Sequence, residues 1–452
     1  MTNESKVNIR ELSLEVLIKV LEEEEYSSIV LQNVLKIYQY LEKQDRAFLS
    51  RLCEGTIERM IELDYIINQF SKVKVKKMKP VIRNILRMGV YQLKYMKQVP
   101  ASAACNEAVK LAQKKGFHNL KGFVNGVLRN ISRNLDTFSY PSKEKEPIKY
   151  LSITYSMPEW IVKKWISELG FQVTETMLKA SFSERPTTIR CNTGKVQKNE
   201  LKKILQEEGV RVSEGAYVES ALRIENYNYL GKLLSFQNGL FTVQDESSMM
   251  VALAAGVEKN NLVIDVCAAP GGKSLHVAEL LNGTGTVSAR DLTEQKVKKI
   301  KENIERLNIK NIEAKVQDAL VSDAEYIEKA DIVIADLPCS GLGVIGKKND
   351  IKYKATEKGL KDLAQLQRDM LQMVSSYVKP GGTLIYSTCT VNREENEENV
   401  EWFLQHSDFV LESLDDYLPK KVQNGDTKKG YIQFIPGIHE TDGFFLARLK
   451  RR

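Results

Sequence analysis

From about residue 238 onward the chain alternates short apolar runs with amphipathic stretches, and this alternation restricts the fold more than any other feature. "NLVIDV" (261–266), "GTVSARD", "IEAKVQD", "ADIVIAD" and "GTLIYSTC" read as buried strands. Between them "GKSLHVAELL", "EQKVKKIKENIERLN" and "LKDLAQLQRDMLQMVSSYV" read as helices, the second with Val297, Ile300, Ile304 and Leu307 on one face. "NREENEENVEWFLQHS" continues as a helix, and "DFVLES" and "GFFLARLKR" as closing strands. Repeated βα units with continuous apolar strands predict a Rossmann-like α/β domain, its parallel sheet covered on both faces. Ligands of such sheets sit beyond the carboxyl ends of the strands.

Residues 1–140 carry a different pattern, helical throughout. Ile9, Leu12, Val16 and Val20 form one stripe, and Pro80 and Pro100 stand where helices should start or stop. This all-α region is also where the positive charge lies: it holds 23 Lys+Arg against 15 Asp+Glu, whereas the rest of the chain holds 43 against 44. Within 65–133, fifteen basic residues stand against one acid, Glu107. An imbalance sustained over so long a stretch predicts a nucleic-acid partner. "YPSKEKEPIKY" (140–150) reads as a linker. It is followed by a small α+β region over 150–237: helical to about 182, then a strand in "PTTIRCNTGKV", a helix in "QKNELKKILQEEGV" and a strand in "ALRIEN". Three domains are expected: 1–140, 150–237 and 238–452.

Several function classes are disfavoured. No apolar run approaches the roughly 20 residues that span a bilayer, and "MTNESKVNIRELSLEVL" lacks a signal-peptide hydrophobic region, so a cytoplasmic protein is expected. The six cysteines form no Cys-x-x-Cys pair and no histidine lies near one, which predicts neither metal site nor disulfide framework. Four histidines leave little material for a Ser-His-Asp site.

"DVCAAPGGKS" (265–274) joins a buried strand to a helix through small residues, and Gly271 and Gly272 let a ligand approach the backbone. A phosphate-binding P-loop would need glycine where Cys267 stands, and no G-x-G-x-x-G is present. The loop therefore suits a nucleoside whose tail is not a run of phosphates. Asp291 ends the next strand, where an acid accepts hydrogen bonds from ribose hydroxyls; Asp318 ends the third, beside the expected adenine; Asp336 ends the fourth. S-adenosylmethionine fits this set.

Cys339, in "DLPCSG", and Cys389, in "YSTCTV", follow two successive strands, which become neighbours roughly 5 Å apart in a doubly wound sheet. Cys53, Cys105, Cys191 and Cys267 read as packing. Methylation at pyrimidine C5 is the chemistry that wants a thiol here, because a thiolate adding to C6 makes C5 reactive. Asp336 suits the role of carboxyl group near N3. One cysteine suffices for addition and the second could assist elimination; spacing does not decide which is which.

Together, "DVCAAPGGKS", "DLPCSG" and "YSTCTVNREENE" resemble the Sun-type (Fmu) RNA cytosine-C5 methyltransferases, and the basic front half, with "KGFVNGVLRN", resembles a NusB-like RNA-binding domain. "QDESS" (244–248) also fits the family pattern. The resemblance implies methylation of one cytosine in 16S ribosomal RNA, naked or in an early assembly particle, by a monomer without metal. It implies that Cys267, Ala268, Ala269, Pro270, Gly271, Gly272 and Lys273 form the methionine side of the cofactor site, completed by Asp291, Asp318 and Asp336. It makes Cys389 the nucleophile and Cys339 the thiol of product release. Within the basic stretch, Lys110, Lys114, Lys121, Asn125 and Arg129 are the expected RNA-binding residues. Arg290 departs from the pattern, standing before Asp291 where an apolar strand residue is usual. Rival readings are a cytosine-C5 methyltransferase for another rRNA or tRNA site, a DNA cytosine methyltransferase, and a non-catalytic antitermination-type RNA-binding factor.

Overall fold

The computed structural model describes residues 7–183 and 185–452; the first six residues of the stretch read for a signal peptide lie outside the described residues. The chain divides into two compact units, Met1–Phe182 with Ile345–Lys354, and Ser183–Val344 with Ala355–Arg452.

The first unit is helical: α1 (Ile9–Leu21), α2 (Ser27–Ile37), α3 (Lys43–Glu58), α4 (Met60–Phe70), α5 (Pro80–Tyr95), α6 (Ala101–Lys114), α7 (Lys121–Asn134), α8 (Pro147–Thr154), α9 (Glu159–Leu169) and α10 (Phe171–Ala180). Pro80 and Pro147 each take the first helical position, where a missing N–H costs nothing. Leu14, Leu17, Leu49, Ile66, Leu86 and Leu128, all buried, belong to one apolar core. The unit boundary at Phe182 falls beyond the linker expected at 140–150, because α8 begins within that segment and α4 packs against it.

The charge excess of 65–133 is partly internal to this unit. Arg83 and Arg87 pair with Glu22 and Asp64, Lys94 with Glu62 (2.7 Å), and Lys115 with Glu11 and Glu15. The acids of the first 64 residues fold back onto the basic stretch and narrow the free cationic face.

The second unit carries two sheets among its described residues. The smaller, in the antiparallel order β2-β3-β1-β4, comprises β1 (Thr187–Cys191), β2 (Arg211–Glu214), β3 (Ala221–Glu225) and β4 (Phe241–Val243), with α11 (Lys198–Glu207) and α12 (Leu234–Gln237). It thus extends past residue 237, since β4 pairs with β1. The larger part runs α13 (Glu246–Ala255), β5 (Leu262–Asp265), α14 (Gly272–Leu280), β6 (Thr286–Asp291), α15 (Glu294–Leu307), β7 (Ile312–Val316) and β8 (Ala330–Asp336). After α16 (Ile351–Lys354), which belongs to the helical unit, it continues through α17 (Glu357–Ser375), β9 (Val378–Thr388), α18 (Glu397–Gln405), β10 (Phe409–Leu411), α19 (Gly425–Lys429), β11 (Tyr431–Phe434) and β12 (Phe444–Arg451). Its strand order is β10-β12-β9-β8-β5-β6-β7, with β11 on β12. The run β7-β6-β5-β8-β9 is parallel and the order reverses between β5 and β8, which is the topological switch point. The expected doubly wound sheet is present, and β8 and β9 are neighbours.

Ile345–Lys354 departs from the second unit's part of the chain soon after Cys339 and is held in the helical unit by polar contacts. Asp350 accepts from the Ser27 N–H (3.2 Å) and hydroxyl (2.5 Å), and the Tyr353 hydroxyl donates to the Glu58 carbonyl (3.1 Å). Lys352 is buried, donates to the Glu58 carbonyl at 2.9 Å, and has its pKa pushed down to about 7 by burial, with Arg59 adding to the effect and Glu58 opposing it. The unfolded lysine holds its proton to about pH 10.4, so across pH 7 to 10 the unfolded chain binds more protons and stability rises with pH. The thermal midpoint of the wild type should climb between pH 7 and pH 9, and Lys352→Met should flatten that climb in a calorimetric pH series.

Candidate active site

Three parallel strands end side by side at the switch point, with Asp265 opposite Ile334 and Asp336 opposite Ser387. The Asp336 carboxylate accepts from the Ser387 hydroxyl (2.7 Å) on one oxygen and from Lys273 Nζ (2.6 Å) on the other. Burial opposes the charge on Lys273, but Asp336 outweighs it and holds the ammonium above its ordinary value. The "GGKS" lysine is therefore spent on a carboxylate.

Just past these strand ends the Sγ atoms of Cys339 and Cys389 lie 3.3 Å apart, in hydrogen-bond contact and not bridged. The contact with Cys389, then burial, pushes the Cys339 thiol well above its ordinary range. Two thiols this close do not both ionise, so the first proton lost belongs to the pair. A backbone crossing locks the two loops: Gly343 N–H donates to the Cys389 carbonyl (3.1 Å) and Gly443 N–H to the Gly343 carbonyl (2.9 Å). A Cβ on Gly343 would stand 2.0 Å from the Gly443 oxygen, so only glycine fits. The remaining cysteines lie apart from this pair. Burial raises Cys53 to about 12 and Cys191 to about 11, and burial with three nearby aspartates raises Cys267 further, which suits inert packing thiols.

The loop from Cys267 to Lys273 connects β5 to α14 through a cis Ala269–Pro270 bond and Gly271 at φ +106°. Asp291, buried at the end of β6, accepts from the Ala269 N–H (3.0 Å), the Leu292 N–H (2.8 Å) and Lys296 (2.9 Å), and so fixes the loop against the second strand. Asp318 follows β7 and accepts from the Leu320 N–H (2.9 Å); Leu292, Leu320 and Val316 are exposed around these ends. Asp265 is buried, its carboxyl pushed up to about 7 by burial, with the Ser274 hydroxyl on one oxygen and the other buried without a hydrogen-bond partner. Acids, a glycine turn and exposed apolar side chains, with both lysines already paired to aspartates, suit a nucleoside that carries no phosphate.

"QDESS" proves architectural. Asp245 caps α13 through the Ser247 N–H (3.1 Å), and buried Glu246 accepts three backbone N–H groups from 216–218 at 2.7–2.8 Å. Gln244 accepts from Arg190 of β1 (2.8 Å), which also pairs with Glu279 of α14; the small sheet is thereby tied to the helix that follows the cofactor loop.

In the helical unit, Lys110, Lys121, Asn125 and Arg129 line one groove of about 530 Å³ between α6 and α7, with Gly122 also lining it and Gly126 nearby on α7, both open to solvent. The structure separates Lys114 from them. It pairs with Glu11 of α1 at 2.6 Å, an acid far back along the chain that the linear charge count did not register, whereas Lys110 pairs with Glu107 (2.7 Å), which lines the groove itself. Among the described residues no group of three metal-ligating side chains occurs, and no helix is long and apolar enough to cross a membrane.

A methyl donor built on a nucleoside accounts for the loop, the acids and the lack of a phosphate cradle, and the class is that of the S-adenosylmethionine-dependent RNA methyltransferases. Comparison with known proteins narrows this. Residues 251–450 match the model of the 16S rRNA methyltransferase RsmB/F family, 7–133 that of the NusB family, and 157–229 the ferredoxin-like domain of RsmF/B-like methyltransferases. The chain is 38% identical to a probable ribosomal RNA small subunit methyltransferase B of Bacillus subtilis, over 99% of both chains. It is 33% identical to the probable Synechocystis enzyme of that name, over 98% of this chain and 100% of the other. The crystal structure of the protein PH0851 superposes with a TM-score of 0.81 at 26% identity, over 99% of each chain. This chain belongs to the RsmB/F family of 16S rRNA methyltransferases.

Phenylarsine oxide bridges thiols only when two lie within reach of one arsenic. It should bind the wild type at one equivalent, and Cys339→Ser or Cys389→Ser should each abolish that binding in a titration; retention in either variant would contradict the pairing.

Proposed function

We propose that this chain methylates C5 of one cytosine in 16S ribosomal RNA through a covalent adduct between Cys389 and C6. The observation that carries the reading is the thiol pair at 3.3 Å, set just past the strand ends that also carry Asp336. Amino-group methylation needs no thiol, whereas C5 is too poor a nucleophile until a thiolate has added to C6. Cys389 adds to C6, and Asp336 with the Lys273 ammonium beside it holds the N3 edge of the ring while charge develops there. S-adenosylmethionine, when bound, supplies the methyl group from its sulfonium. A base then removes the C5 proton, the C5–C6 double bond re-forms and Cys389 leaves as thiolate, with Cys339 assisting this release.

The surroundings of the two thiols support this order. The Lys273 ammonium interacts with Cys389 and favours its ionised form, whereas the Glu395 carboxylate faces Cys339 and opposes ionisation there. For the cofactor, Cys267, Ala268, Ala269, Pro270, Gly271, Gly272 and Lys273 would hold the methionine end, Asp291 the ribose and Asp318 the adenine, with Asp336 closing the site. The α6–α7 groove, through Lys110, Lys121, Asn125 and Arg129, would follow the RNA backbone, with Lys114 a weaker contributor. A cytoplasmic monomer acting on naked rRNA or an early assembly particle is part of the same reading.

Mapping 5-methylcytosine in 16S rRNA from cells with and without the gene tests the substrate: one site should vanish on deletion, and an unchanged map refutes it. Cys389→Ala should abolish methyl transfer and form no adduct, whereas Cys339→Ala should accumulate a protein–RNA adduct that survives denaturing gels; the reverse pattern would exchange the two roles. Reversing Lys110, Lys121 and Arg129 to Glu should weaken RNA binding and lower the salt slope by roughly 0.7–0.9 for each phosphate no longer neutralised, as read by fluorescence anisotropy across a salt series. Lys114→Glu should have the smallest effect.

A further inference from the structure

The segment "NREENEEN" after Cys389 reads in the sequence as the start of one helix. In the structure Arg393–Glu395 forms a 3-10 turn before α18, and Asn392, Glu395, Asn396 and Asn399 are all fully buried. A buried carboxylate needs donors around it, and Glu395 has four. One oxygen accepts from the Ser340 N–H (2.8 Å) and the Gln367 amide (3.0 Å); the other accepts from the Ser340 hydroxyl (2.5 Å) and the Asn392 amide (3.0 Å). Asn392 turns its amide nitrogen to Glu395 although its own Oδ1 is left buried without a hydrogen-bond partner.

Ser340 follows Cys339 directly, and its hydroxyl also meets that of Thr390, which follows Cys389 (2.8 Å). On the other loop, Asn396 accepts from the Thr388 hydroxyl (2.5 Å) and donates to the Thr390 carbonyl (3.1 Å), bracketing Cys389. Each cysteine is thus held through its neighbours, and the two holds meet at Ser340 and Thr390.

We propose that Glu395 is a positioning residue of the methyl-transfer reaction: by accepting two hydrogen bonds from Ser340 it fixes the Cys339 loop against the Cys389 loop and sets the separation of the two thiols. The role rests on the reading of the pair as the catalytic thiols. A carboxylate accepts from all four groups at once: the Ser340 N–H can only donate, and the Ser340 hydroxyl and the Gln367 and Asn392 amides are turned to donate. A glutamine would turn its own NH₂ toward two of them, and the Ser340 hydroxyl and the Asn392 amide would have to turn round to meet it, disturbing the hold on both loops.

The test uses full-length wild type, Glu395→Gln, Glu395→Ala and the milder Ser340→Ala, with a 16S rRNA transcript and S-adenosylmethionine. Glu395→Gln should lose on the order of a hundredfold in kcat, the scale expected when reacting groups are displaced by about 1 Å. Its KM for RNA and its affinity for S-adenosylmethionine should stay within about threefold of wild type, because neither RNA nor cofactor binding needs the fixed thiol geometry. Phenylarsine oxide bridging should weaken in parallel, and Ser340→Ala should show a smaller loss of the same kind. Near-wild-type kcat in Glu395→Gln overturns the proposal. So does a loss of kcat matched by equal losses of cofactor affinity and thermal midpoint, since that marks a purely structural residue. If Glu395→Ala does not fold, Glu395→Gln and Ser340→Ala decide alone. Arsenical bridging needs no RNA: were the wild type to make no 5-methylcytosine, the functional reading would fail, while bridging lost in Glu395→Gln would still support the positioning role.

Discussion

One carboxylate joins the three strand ends on which the site is built. Asp336 ends β8, accepts from Ser387 near the end of β9, and accepts from Lys273 in the helix that follows β5. The thiols stand three residues beyond Asp336 and two beyond Ser387, so the register of β8 on β9 brings their loops side by side. A slip of one residue moves a strand end by about 3.3 Å, as much as the whole thiol–thiol distance of 3.3 Å. Such a slip would also face residues to the wrong side of the sheet. Ile334, Leu384, Ile385 and Tyr386 are fully buried around this pairing, and their packing opposes any slip. The same apolar runs that make the sheet thus bring the two thiol loops within reach of each other, and the Glu395 hydrogen bonds fix the final separation.

Those runs are why the larger sheet is legible in the sequence. β5, β6, β8, β9 and β12 are long or continuously apolar, and each lies where its run predicts it. β2, β4 and β11 carry no such signal. They are three or four residues long, and Arg211–Glu214 shows a largely exposed, polar face, so nothing local separates it from a loop. These strands exist because a neighbour offers a free edge: β3 for β2, β1 for β4 and β12 for β11. The unit boundary at Phe182 is equally out of reach, since it follows from which core a helix packs on. The excursion of Ile345–Lys354 into the helical unit depends on contacts of Asp350 and Lys352 with Ser27 and Glu58, far back along the chain, which no local pattern signals.

At the site the same distinction holds. The small-residue loop and the aspartates at strand ends carry a local signal, because their position relative to an apolar run is itself the information. The buried polar cluster carries none: residues 392, 395, 396 and 399 repeat at the helical spacing of a solvated face, and only the fold turns that face inward. Lys114 shows the converse error, in which an unpaired charge in the sequence meets its partner, Glu11, far back along the chain. Arg290 is accounted for only by its neighbours. Its guanidinium lies over the rings of Tyr326 (4.3 Å) and Tyr377 (5.3 Å) and within 3.4 Å of Asp323, so an arginine occupies a buried strand position by stacking and charge pairing.

The thiol pair poses a problem that spacing does not resolve and on which the surrounding charges bear. Two identical groups 3.3 Å apart share their first ionisation, and only an asymmetric environment makes one of them the nucleophile. The asymmetry comes from the two carboxylates of the site, which are used oppositely. Lys273 pairs with Asp336 and also interacts with Cys389, so the positive end of that pair lies on the Cys389 side. Glu395 is surrounded by uncharged donors, so its negative charge is left to act on Cys339. Replacing Lys273 by a neutral residue would remove the attraction at one sulfur and also release Asp336, whereas replacing Glu395 by glutamine would remove the repulsion at the other sulfur. On the proposed roles, both changes shrink the difference between the thiols, and with it the preference for attack by Cys389 over Cys339.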